Sequence, residues 1–495
     1  MRHIFLTCMM MTALAANPPS PSEPGSLSST EANYDGNALI LKGHVVLDHG
    51  LGKMMAEEAN LQRQEAGKEF PFSSIQLRTD VKLALHQSAQ ILCNEANLDF
   101  TTLKGVLLPH LDGKVVYTDL INRKKGGDPA ALQLSSNSLE LNFCRRPLTD
   151  TKIEYDIETL LAQEEVVIEY LNQFRLFAHK ALYRKELELT NKTSKKEFQG
   201  IITAYPEEGK AQCRLVHQGK EISSDMIDID LIHSKLSLLH PHGHLPTSLV
   251  ADAAASLRFK SDYLYWDYNK QLLTLKGQIT IEEDSMGLLE TQDELQLYLN
   301  TAKGSTQLGK IVTQGFSTLA YQDNNHYSHK LTTHGSIHVD REKLRASIES
   351  PEKEGIIPEN KQLCYEGDTY TVFSDSAVID YSITDNKMAP SLVTLKGNIR
   401  LSSHDPQENK RLGCADRLSY SATTRTFILS ANPGKKVLFW DDSQGMHLSA
   451  PEVHITTDPT TGEQQVKGIG AVQFAFTPEE QTKIQKLFPE LKKTL

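Results

Sequence analysis

Basic residues are scarce relative to acidic residues in this sequence. It contains 52 Lys and Arg against 63 Asp and Glu, which gives a formal net charge of −11. Binding to nucleic acid needs clustered Lys and Arg to neutralise the phosphates, and adhesion to an anionic membrane surface needs them as well. The acidic balance argues against both, so no nucleic-acid partner is expected.

Long apolar runs are also missing. Beyond residues 4–14, no stretch approaches 18 uncharged apolar residues, so no transmembrane segment is expected. Residues 4–14 follow a short polar start and end in Ala13-Leu14-Ala15, the pattern of a secretory signal cleaved after Ala15 or Ala16. We therefore predict a signal peptide over residues 1–16 and a periplasmic mature chain. A lipoprotein signal is disfavoured because Cys8 lies inside the apolar run.

Cysteines are few and none are closely paired. Six are present, and Cys8 would leave with the signal. No two of the others have the C-x-x-C spacing of zinc sites and redox motifs. These five are Cys93, Cys144, Cys213, Cys364 and Cys414. They allow one or two disulfides in an oxidising compartment, or simply small buried side chains.

Recognisable catalytic motifs are absent. The sequence has no nucleophile elbow, P-loop, zincin helix or dinucleotide fingerprint. His240, His242 and His244 alternate and could share one face of a strand as metal ligands, but the segment also resembles a turn. Glu282-Glu283-Asp284 is more typical of a solvated turn than of a catalytic pair. We therefore expect no enzyme, no catalytic or metal site and no cofactor.

The pattern that is present is typical of many short strands. Residues 17–30 are rich in Pro and Ser and predict a flexible linker. From residue 31 to 476, short runs of Val, Ile, Leu, Thr and Tyr alternate with turn clusters such as Asn432-Pro433-Gly434. From residue 477 to 495, an N-cap sequence at Thr477-Pro478 precedes apolar residues at helical spacing, which predicts a short C-terminal amphipathic helix. Those apolar residues are Ile484, Leu487, Phe488 and Leu491.

An internal repeat is the most informative feature. Residues 39–47 (LILKGHVVL), 273–281 (LTLKGQITI) and 393–401 (VTLKGNIRL) share one alternation when aligned on Lys-Gly. Apolar residues occupy the first, third, seventh and ninth positions, so one face of a long half-buried strand is expected. A second element, small and acidic residues followed by apolar ones, recurs further on, as in Ala415-Asp416-Arg417-Leu418.

Glycine on the apolar face of such a strand has two explanations. It can supply a bend that lets a curved sheet close, or it can leave room for an acyl chain where a side chain is missing. Both explanations stay open at this point. The Lys of each copy, which points the other way, is expected to be solvated.

The spaced L-x-L-K-G-x-I-x-I elements, with the small-acidic-apolar element behind them, resemble the OstA family. That family includes the periplasmic lipopolysaccharide-transport protein LptA and the N-terminal domain of LptD. The resemblance runs from about residue 31 to 476. It implies an all-β fold, a repeat-built open β-jellyroll stack whose apolar interior holds the lipid A acyl chains of lipopolysaccharide. It also implies end-to-end strand pairing with other envelope transport proteins or with copies of the chain itself.

Carried onto this chain, the resemblance implies lipid-binding positions on the inward face of each copy. They are Leu39, Leu41, Val45 and Leu47, then Leu273, Leu275, Gly277, Ile279 and Ile281, then Val393, Leu395, Gly397, Ile399 and Leu401. The chain is longer than a typical LptA, so two jellyroll units are expected, at residues 31–250 and 251–476. A charged helix ends the chain where LptD would continue into a barrel.

Two other functions remain as alternatives. A structural or adhesive β-solenoid of the envelope would have the same strands with a fully packed core and no lipid cargo. A carbohydrate-active β-helix enzyme would need a recurrent cluster of acidic or polar side chains. The inward glycines favour the lipid carrier over the solenoid, and the lack of such a cluster disfavours the enzyme.

Overall fold

The computed structural model shows an all-β chain in two compact units, residues Met1–Leu239 and residues His240–Leu495. The residues that it describes are 26–63, 72–85, 89–121, 130–149, 152–170, 174–185, 200–209, 211–217, 219–245, 257–283, 287–302, 305–322, 328–352, 356–368, 370–384, 387–404, 410–442, 445–458 and 464–488. The predicted all-β fold with one short C-terminal helix is confirmed. The two units meet in sequence after Leu239, whereas the predicted boundary at residue 250 lies outside the described residues.

The first unit contains seventeen described strands. They are β1 (Leu27–Ser28), β2 (Glu31–Tyr34), β3 (Ala38–His49), β4 (Gly52–Arg63), β5 (Phe72–Leu85), β6 (Ala89–Asp99), β7 (Lys104–Leu108), β8 (Val115–Ile121), β9 (Ala130–Ser136), β10 (Ser138–Thr149), β11 (Lys152–Tyr170), β12 (Phe174–Lys185), β13 (Gly200–Tyr205), β14 (Cys213–His217), β15 (Lys220–Ser224), β16 (Met226–Asp230) and β17 (Lys235–Leu239).

The second unit contains the remaining described strands, a 3-10 turn at Glu359–Lys361 and the helix α1 (Pro478–Leu487). The strands are β18 (His242–Leu245), β19 (Leu257–Lys260), β20 (Tyr263–Asp267), β21 (Leu272–Lys276), β22 (Ile279–Glu283), β23 (Gly287–Thr291), β24 (Glu294–Ala302), β25 (Ser305–Gln314), β26 (Ser317–Gln322), β27 (Ser328–Thr333), β28 (Ser336–Asp340), β29 (Arg345–Glu349), β30 (Leu363–Gly367), β31 (Tyr370–Ser374), β32 (Ser376–Thr384), β33 (Lys387–His404), β34 (Lys410–Ser421), β35 (Thr426–Ser430), β36 (Val437–Asp441), β37 (Met446–Ala450), β38 (Glu452–Thr457) and β39 (Gln464–Ile469).

Each unit is built from two antiparallel sheets, because the chain bends and passes from one sheet to the other. In the first unit, sheet A follows the order β2-β3-β4-β5-β6-β7-β10-β11-β12-β13-β16-β17. Sheet B follows β1-β3-β4-β5-β6-β8-β9-β11-β12-β14-β15. Strands such as β3 belong to both sheets because they bend midway, at a register shift between Lys42 and Val45.

The second unit repeats this plan with shorter strands. Sheet C follows β18-β19-β22-β23-β26-β27-β30-β31-β33-β34-β36-β37. Sheet D follows β20-β21-β24-β25-β28-β29-β32-β33-β34-β35-β38-β39. Hairpins alternate between the two sheets along the chain. The crossings therefore lie along one long edge, and the hairpin turns lie along the opposite edge.

The two long edges of the second unit differ in their covalent connections. At the crossing edge, the chain joins sheet C to sheet D each time a hairpin ends, as between β21 and β22. At the hairpin edge, each turn connects two neighbouring strands of the same sheet, as between β28 and β29. Covalent connections therefore join the two sheets along one edge of the sandwich. Along the other edge, the described residues contain no such connection.

Buried faces of the two sheets in the second unit face each other. Burial alternates along the strands, as expected for period-2 side chains, with Leu273 and Leu275 buried and Lys276 exposed. A Cβ placed on Gly413 in sheet C would lie 3.4 Å from Leu429 Cδ2 in sheet D. The core of this unit therefore lies between the sheets, and "inward" below means toward the opposite sheet.

The C-terminal helix forms as predicted and covers the outer face of sheet C. Thr477 and Glu480 make a capping box, in which Glu480 Oε2 accepts from the Thr477 backbone N–H at 2.8 Å. The helix buries Ile484 and, just beyond its end, Phe488. Their partners on the sheet are Leu412, Cys414, Leu438 and Trp440, and Leu487 packs beside them. Leu491, also predicted on this apolar face, lies outside the described residues.

Two other predictions concern the N-terminal region and the cysteines. The predicted linker at residues 17–30 is wrong at its end, because Leu27 and Ser28 pair with Leu47 and Val46 of β3; the predicted signal peptide lies outside the described residues. All five cysteines after Cys8 are described, and all five are free thiols. Of the two alternatives for these cysteines, the structure shows separate thiols, with Cys213 and Cys414 buried.

A membrane-spanning helix is not found in the described part of the chain. None of its helices has the length and the apolar composition needed to cross a bilayer.

Candidate lipid-binding groove between the two sheets

The residues predicted to face inward are buried or half-buried. The fully buried ones are Leu41, Val45, Leu47, Leu273, Leu275, Ile279, Ile281, Leu395 and Ile399. The half-buried ones are Leu39, Gly277, Val393, Gly397 and Leu401. The alternation read from the repeat therefore matches the burial in the structure.

Glycine in the repeat lies at the crossing edge: Gly277 falls between β21 and β22, and Gly397 lies at the bend within β33. Gly277 has φ +87° and Gly397 has φ +77°, a backbone conformation that side chains with a Cβ rarely adopt. A Cβ on Gly277 would collide with the carboxylate of Asp262, and one on Gly397 would collide with that of Asp375. Of the two explanations left open for these glycines, the structure therefore supports the bend. The space beside each glycine is occupied by an acidic side chain, Asp262 or Asp375.

The second sequence element forms the opposite kind of crossing, from sheet C to sheet D. Asp262 and Asp375 both follow a buried serine, Ser261 and Ser374. Each serine hydroxyl donates to the backbone carbonyl two residues further on, at 3.1 Å for Ser261 and 3.3 Å for Ser374. Asp375 then accepts from the Asn398 side chain at 2.8 Å. A side-chain hydrogen bond therefore connects two neighbouring crossings at this edge.

The three repeat copies are not brought together into one site. Residues 39–47 lie in the first unit, and the other two copies are separated by many strands within the second. Within the second unit, the third copy joins both sheets in a single strand, as the first copy does in β3, whereas the second copy is divided between β21 and β22. In β33, Val393 and Leu395 pair with β32 in sheet D, whereas Leu401 pairs with β31 in sheet C.

Near the hairpin edge, the inward side chains of β28–β35 are less buried than those of the earlier strands. In β20–β25, inward positions such as Trp266, Leu273 and Leu297 are 4% exposed or less. In β28–β35, several inward side chains closest to the hairpin edge are only half-buried. We call this set the inner groove; it comprises Val339, Ala346, Ile379, Val393, Leu401, Tyr420 and Phe427.

Small residues lie beside the inner groove at inward positions. Ala377 pairs with Leu395, Gly413 pairs with Leu401, and Ala415 pairs with Ile399. Gly413 differs from Gly277, because its backbone does not have a positive φ, and the nearest atoms to a Cβ there would be 3.4 to 3.6 Å away. A side chain is therefore missing from the interior at Gly413 without any demand from the backbone.

An aromatic cluster lies at the hairpin edge of sheet C. The rings of Tyr321 and His329 stack with centroids 4.6 Å apart, and the Tyr365 and Tyr370 rings are 5.6 Å apart. Tyr365 Oη lies 2.6 Å from His329 Nδ1 and 3.3 Å from Tyr370 Oη. Burial raises the pKa of Tyr365 well above its ordinary value, and contact with Tyr321 and Tyr370 adds to the shift. We call these four residues the rim cluster.

Sequence reasoning missed both Gly413 and the rim cluster. Neither is marked by a Lys-Gly pair, and the four rim residues come from four separate strands. A signal was available in the Ser-Asp element, because the buried Ser374 fixes Tyr370 and Val372 as inward positions on β31. The same alternation from Leu363 places Tyr365 inward on β30.

Surface hollows are found on the outward faces of the sheets. One of about 420 Å³ on sheet A is lined by polar residues that include Asn60, Gln76 and Asn97. Another, of about 250 Å³ on sheet D, is lined by residues that include Lys310, Asp340 and Arg345. Neither contains a predicted lipid-binding position. Across the described residues, no group of three His, Cys, Asp or Glu side chains is placed to hold a metal ion, and this includes the three histidines at 240–244.

Comparison with known proteins yields no relative: no protein-family model matches the chain, and no curated protein matches its sequence.

Proposed function

We propose that this protein carries an amphipathic lipid, with the acyl chains lying between sheets C and D and the polar headgroup at the hairpin edge. The cargo we propose is lipopolysaccharide in the periplasm, in agreement with the resemblance of the repeat to OstA proteins. The observation that carries the proposal is the difference between the two long edges of the second unit.

That difference gives the sandwich one fixed edge and one edge that can open. The crossing edge is held by covalent connections and by the Asp-to-corner contacts at Gly277 and Gly397. At the hairpin edge no crossing joins the sheets within the described residues, so contact between their apolar faces is what holds them together there. An acyl chain entering at this edge replaces one apolar contact by another, so the cost of separating the sheets is offset by burial of the lipid.

The inner groove supplies surface for this exchange. Burial of each CH₂ group of an acyl chain contributes about 0.8 kcal/mol, and the half-buried Val393, Leu401 and Phe427 already present some apolar surface at the hairpin edge. The neighbouring inward positions Ala377, Gly413 and Ala415 carry no more than a methyl group. An acyl chain that enters here would therefore contact apolar side chains, several of which are small.

A scaffold without cargo is the second candidate, and one observation favours it. Leu41, Leu273, Leu275 and Ile281 are 0% exposed. Around these positions the interior is packed as in an ordinary core, which a structural solenoid requires. We therefore place the lipid only along β28–β35.

Photo-crosslinking separates the two candidates. A photoreactive amino acid is introduced at Val393 or Leu401 in the inner groove, at Thr394 on the outward face of β33, and at Leu275 in the packed interior. Each protein is incubated with lipopolysaccharide and irradiated. The carrier predicts adducts at Val393 and Leu401 only. Equal labelling at Thr394, or no labelling at any position in a folded protein, would favour the scaffold.

Pairing with other envelope proteins or with further copies is part of the same proposal. Strand β2 presents four exposed residues and, within the described residues, pairs only with β3. In the second unit, the edge of β37 is partly occupied, since Ser449 and Gln473 exchange two backbone hydrogen bonds of 2.9 Å. Among the strands that the structure describes, those with an edge that supports pairing are therefore β2, which pairs only with β3, and β39, which pairs with β38, and the edge of β37 is the poorer candidate.

A further inference from the structure

Four aromatic side chains from four strands converge at the hairpin edge of sheet C, next to the inner groove. Tyr321 and His329 are directly opposite in the β26–β27 pair. Tyr365 is diagonal to His329, since it pairs with Leu331, and Tyr370 is diagonal to Tyr365 in the β30–β31 pair. Diagonal neighbours on one sheet face are within reach of aromatic side chains. The rim cluster is thus a continuous strip across four strands.

We propose that the rim cluster binds a sugar ring of the lipid headgroup at the mouth of the groove. This inference rests on the proposed carrier function and goes beyond it by naming the headgroup chemistry and the residues that recognise it.

The chemistry of the strip fits a sugar. A pyranose ring presents C–H faces that pack on aromatic rings and hydroxyls that exchange hydrogen bonds. Tyrosine is suited to a position that is apolar at one end and wet at the other. The hydroxyls of Tyr365 and Tyr370 lie 3.3 Å apart, and Tyr365 Oη also lies 2.6 Å from His329 Nδ1, so the strip already holds a short row of polar atoms with which sugar hydroxyls can exchange hydrogen bonds.

A phosphate fits the same strip less well. The inward positions of β26, β27, β30 and β31 carry aromatic, aliphatic, glycine or hydroxyl side chains, with His329 as the one titratable base. They are Ser317, Leu319, Tyr321, His329, Leu331, Thr333, Leu363, Tyr365, Gly367, Tyr370, Val372 and Ser374. Phosphate recognition favours Arg and Lys, and Lys330 on β27 points outward, where it pairs with Glu366 at 3.6 Å.

Space in front of the strip comes from Gly367. This residue is directly opposite His329 in the β27–β30 pair and on the inward face. A Cβ there would come within 3.1 Å of the Tyr370 ring. A larger residue would therefore cover the ring that the sugar is to use.

The rim cluster is next to Leu401, the residue of the inner groove that lies in sheet C. Tyr370 pairs with Ser403 of β33, and Val372 on the same strand pairs with Leu401 of the inner groove. A lipid whose acyl chain lies along Leu401 therefore has its headgroup within reach of Tyr370 and Tyr365.

The experiment compares three ligands on the full-length chain. They are lipopolysaccharide without O-antigen, phosphatidic acid with a phosphate headgroup and no sugar, and palmitic acid with neither. Binding is measured for the wild type, Tyr365→Phe and Tyr370→Phe. Each substitution removes one hydroxyl and keeps the ring. Controls are Thr332→Val and Thr371→Val, which remove a hydroxyl from the outward face of two of the same strands.

We expect Tyr365→Phe and Tyr370→Phe each to weaken lipopolysaccharide binding about 2- to 10-fold, the range for one lost hydrogen bond. Binding of phosphatidic acid and palmitate should be unchanged, and the Thr variants should match the wild type. An equal loss for phosphatidic acid would show a phosphate site and overturn the sugar assignment. An equal loss for all three ligands would show a structural role and overturn it too.

The remaining outcomes separate the rim cluster from the carrier function. If the wild type binds all three ligands and the Phe variants bind lipopolysaccharide normally, the carrier stands and the rim cluster is not its sugar site. If the wild type binds none of the three, the carrier proposal and the sugar site both fail.

Discussion

The carboxylate of Asp262 accepts a hydrogen bond from the backbone N–H of Gln278 at 3.0 Å, directly over Gly277. This contact joins two neighbouring crossings between the sheets. Asp375 and Asn398 repeat it around Gly397, through the asparagine side chain, at 2.8 Å. The Lys-Gly motif is therefore a structural device of the closed edge, and its glycine has two reasons to lack a side chain.

Replacing Gly277 by Ala should destabilise the second unit more than the backbone strain alone predicts. A non-glycine residue in the left-handed region costs about 1–2 kcal/mol, and the collision with Asp262 adds about 1–3 kcal/mol as overpacking. Urea unfolding followed by circular dichroism measures the difference in the free energy of unfolding.

Gly434→Ala is the matched control for Gly277→Ala. Gly434 has φ +82°, close to the +87° of Gly277, and a Cβ on it would have no neighbour within 4 Å in the described structure. Only the backbone strain should appear there. Equal losses of stability in the two variants would contradict a role for Asp262 in excluding a side chain at Gly277.

Much of this edge could be predicted from the sequence, but the sequence could not decide between the two explanations for its glycine. Leu275 and Ile279 lie on different sheets, yet both point inward, so the alternation passes through the corner without a change of parity. A period-2 pattern therefore predicts that both residues are buried, but it looks the same whether or not the strand bends between them. The collision with Asp262 depends on pairing between strands, which one strand's pattern does not contain.

The rim cluster illustrates a second limit. Each of its residues lies in a short strand of five or six residues, where alternation is weak and no Lys-Gly pair fixes the register. Their proximity arises from pairing of β27 with β30 across an intervening hairpin and corner. The C-terminal helix, in contrast, was predictable because its cap and its apolar spacing are both local.

Loss of the apolar contact at Ile484 should release the C-terminal helix from sheet C. Ile484 is 1% exposed, and replacing a buried Ile by Ala typically costs about 2–5 kcal/mol. We expect hydrogen exchange of the α1 amides to become faster in Ile484→Ala, while exchange in the strands of the first unit stays unchanged. Lys483→Ala, at an exposed neighbouring position, should exchange like the wild type. Unchanged protection of α1 in Ile484→Ala would contradict anchoring through this residue.

The stability of the first unit should depend on the ionisation of Asp119. This residue is 7% exposed, and burial raises its pKa above the ordinary value of 3.8 despite the Tyr117 hydroxyl, which donates to it at 3.2 Å, and the nearby Lys185. Between pH 3.8 and the raised pKa, the folded state holds a proton that the unfolded state has lost. Stability contributed by this group therefore falls as the pH rises through that window.

Asp119→Asn tests this dependence because asparagine cannot ionise and its carbonyl still accepts from Tyr117. We expect the variant to be at least as stable as the wild type near pH 7, with the advantage shrinking as the pH falls toward about 4. Urea unfolding at several pH values measures it. Asp112→Asn, at an exposed turn, is the control. A variant that is less stable than the wild type near pH 7 but equal to it near pH 4 would reverse the expected sign.

Filling the interior at Gly413 distinguishes a groove that admits lipid from a core that is simply packed. Gly413→Leu places a side chain beside Leu401 and Leu429, where the nearest atoms now leave room for a Cβ at 3.4 to 3.6 Å. If the acyl chain uses this space, lipopolysaccharide binding should be lost while most of the circular dichroism signal remains. Adding the same side chain on the outward face, in Thr394→Leu, should leave binding intact. In a packed core without cargo, Gly413→Leu instead costs about 1–3 kcal/mol of stability and changes no ligand signal, because the wild type then binds none. Retention of full lipopolysaccharide binding by a folded Gly413→Leu protein would place the acyl chain elsewhere and remove the inner groove from the proposed mechanism.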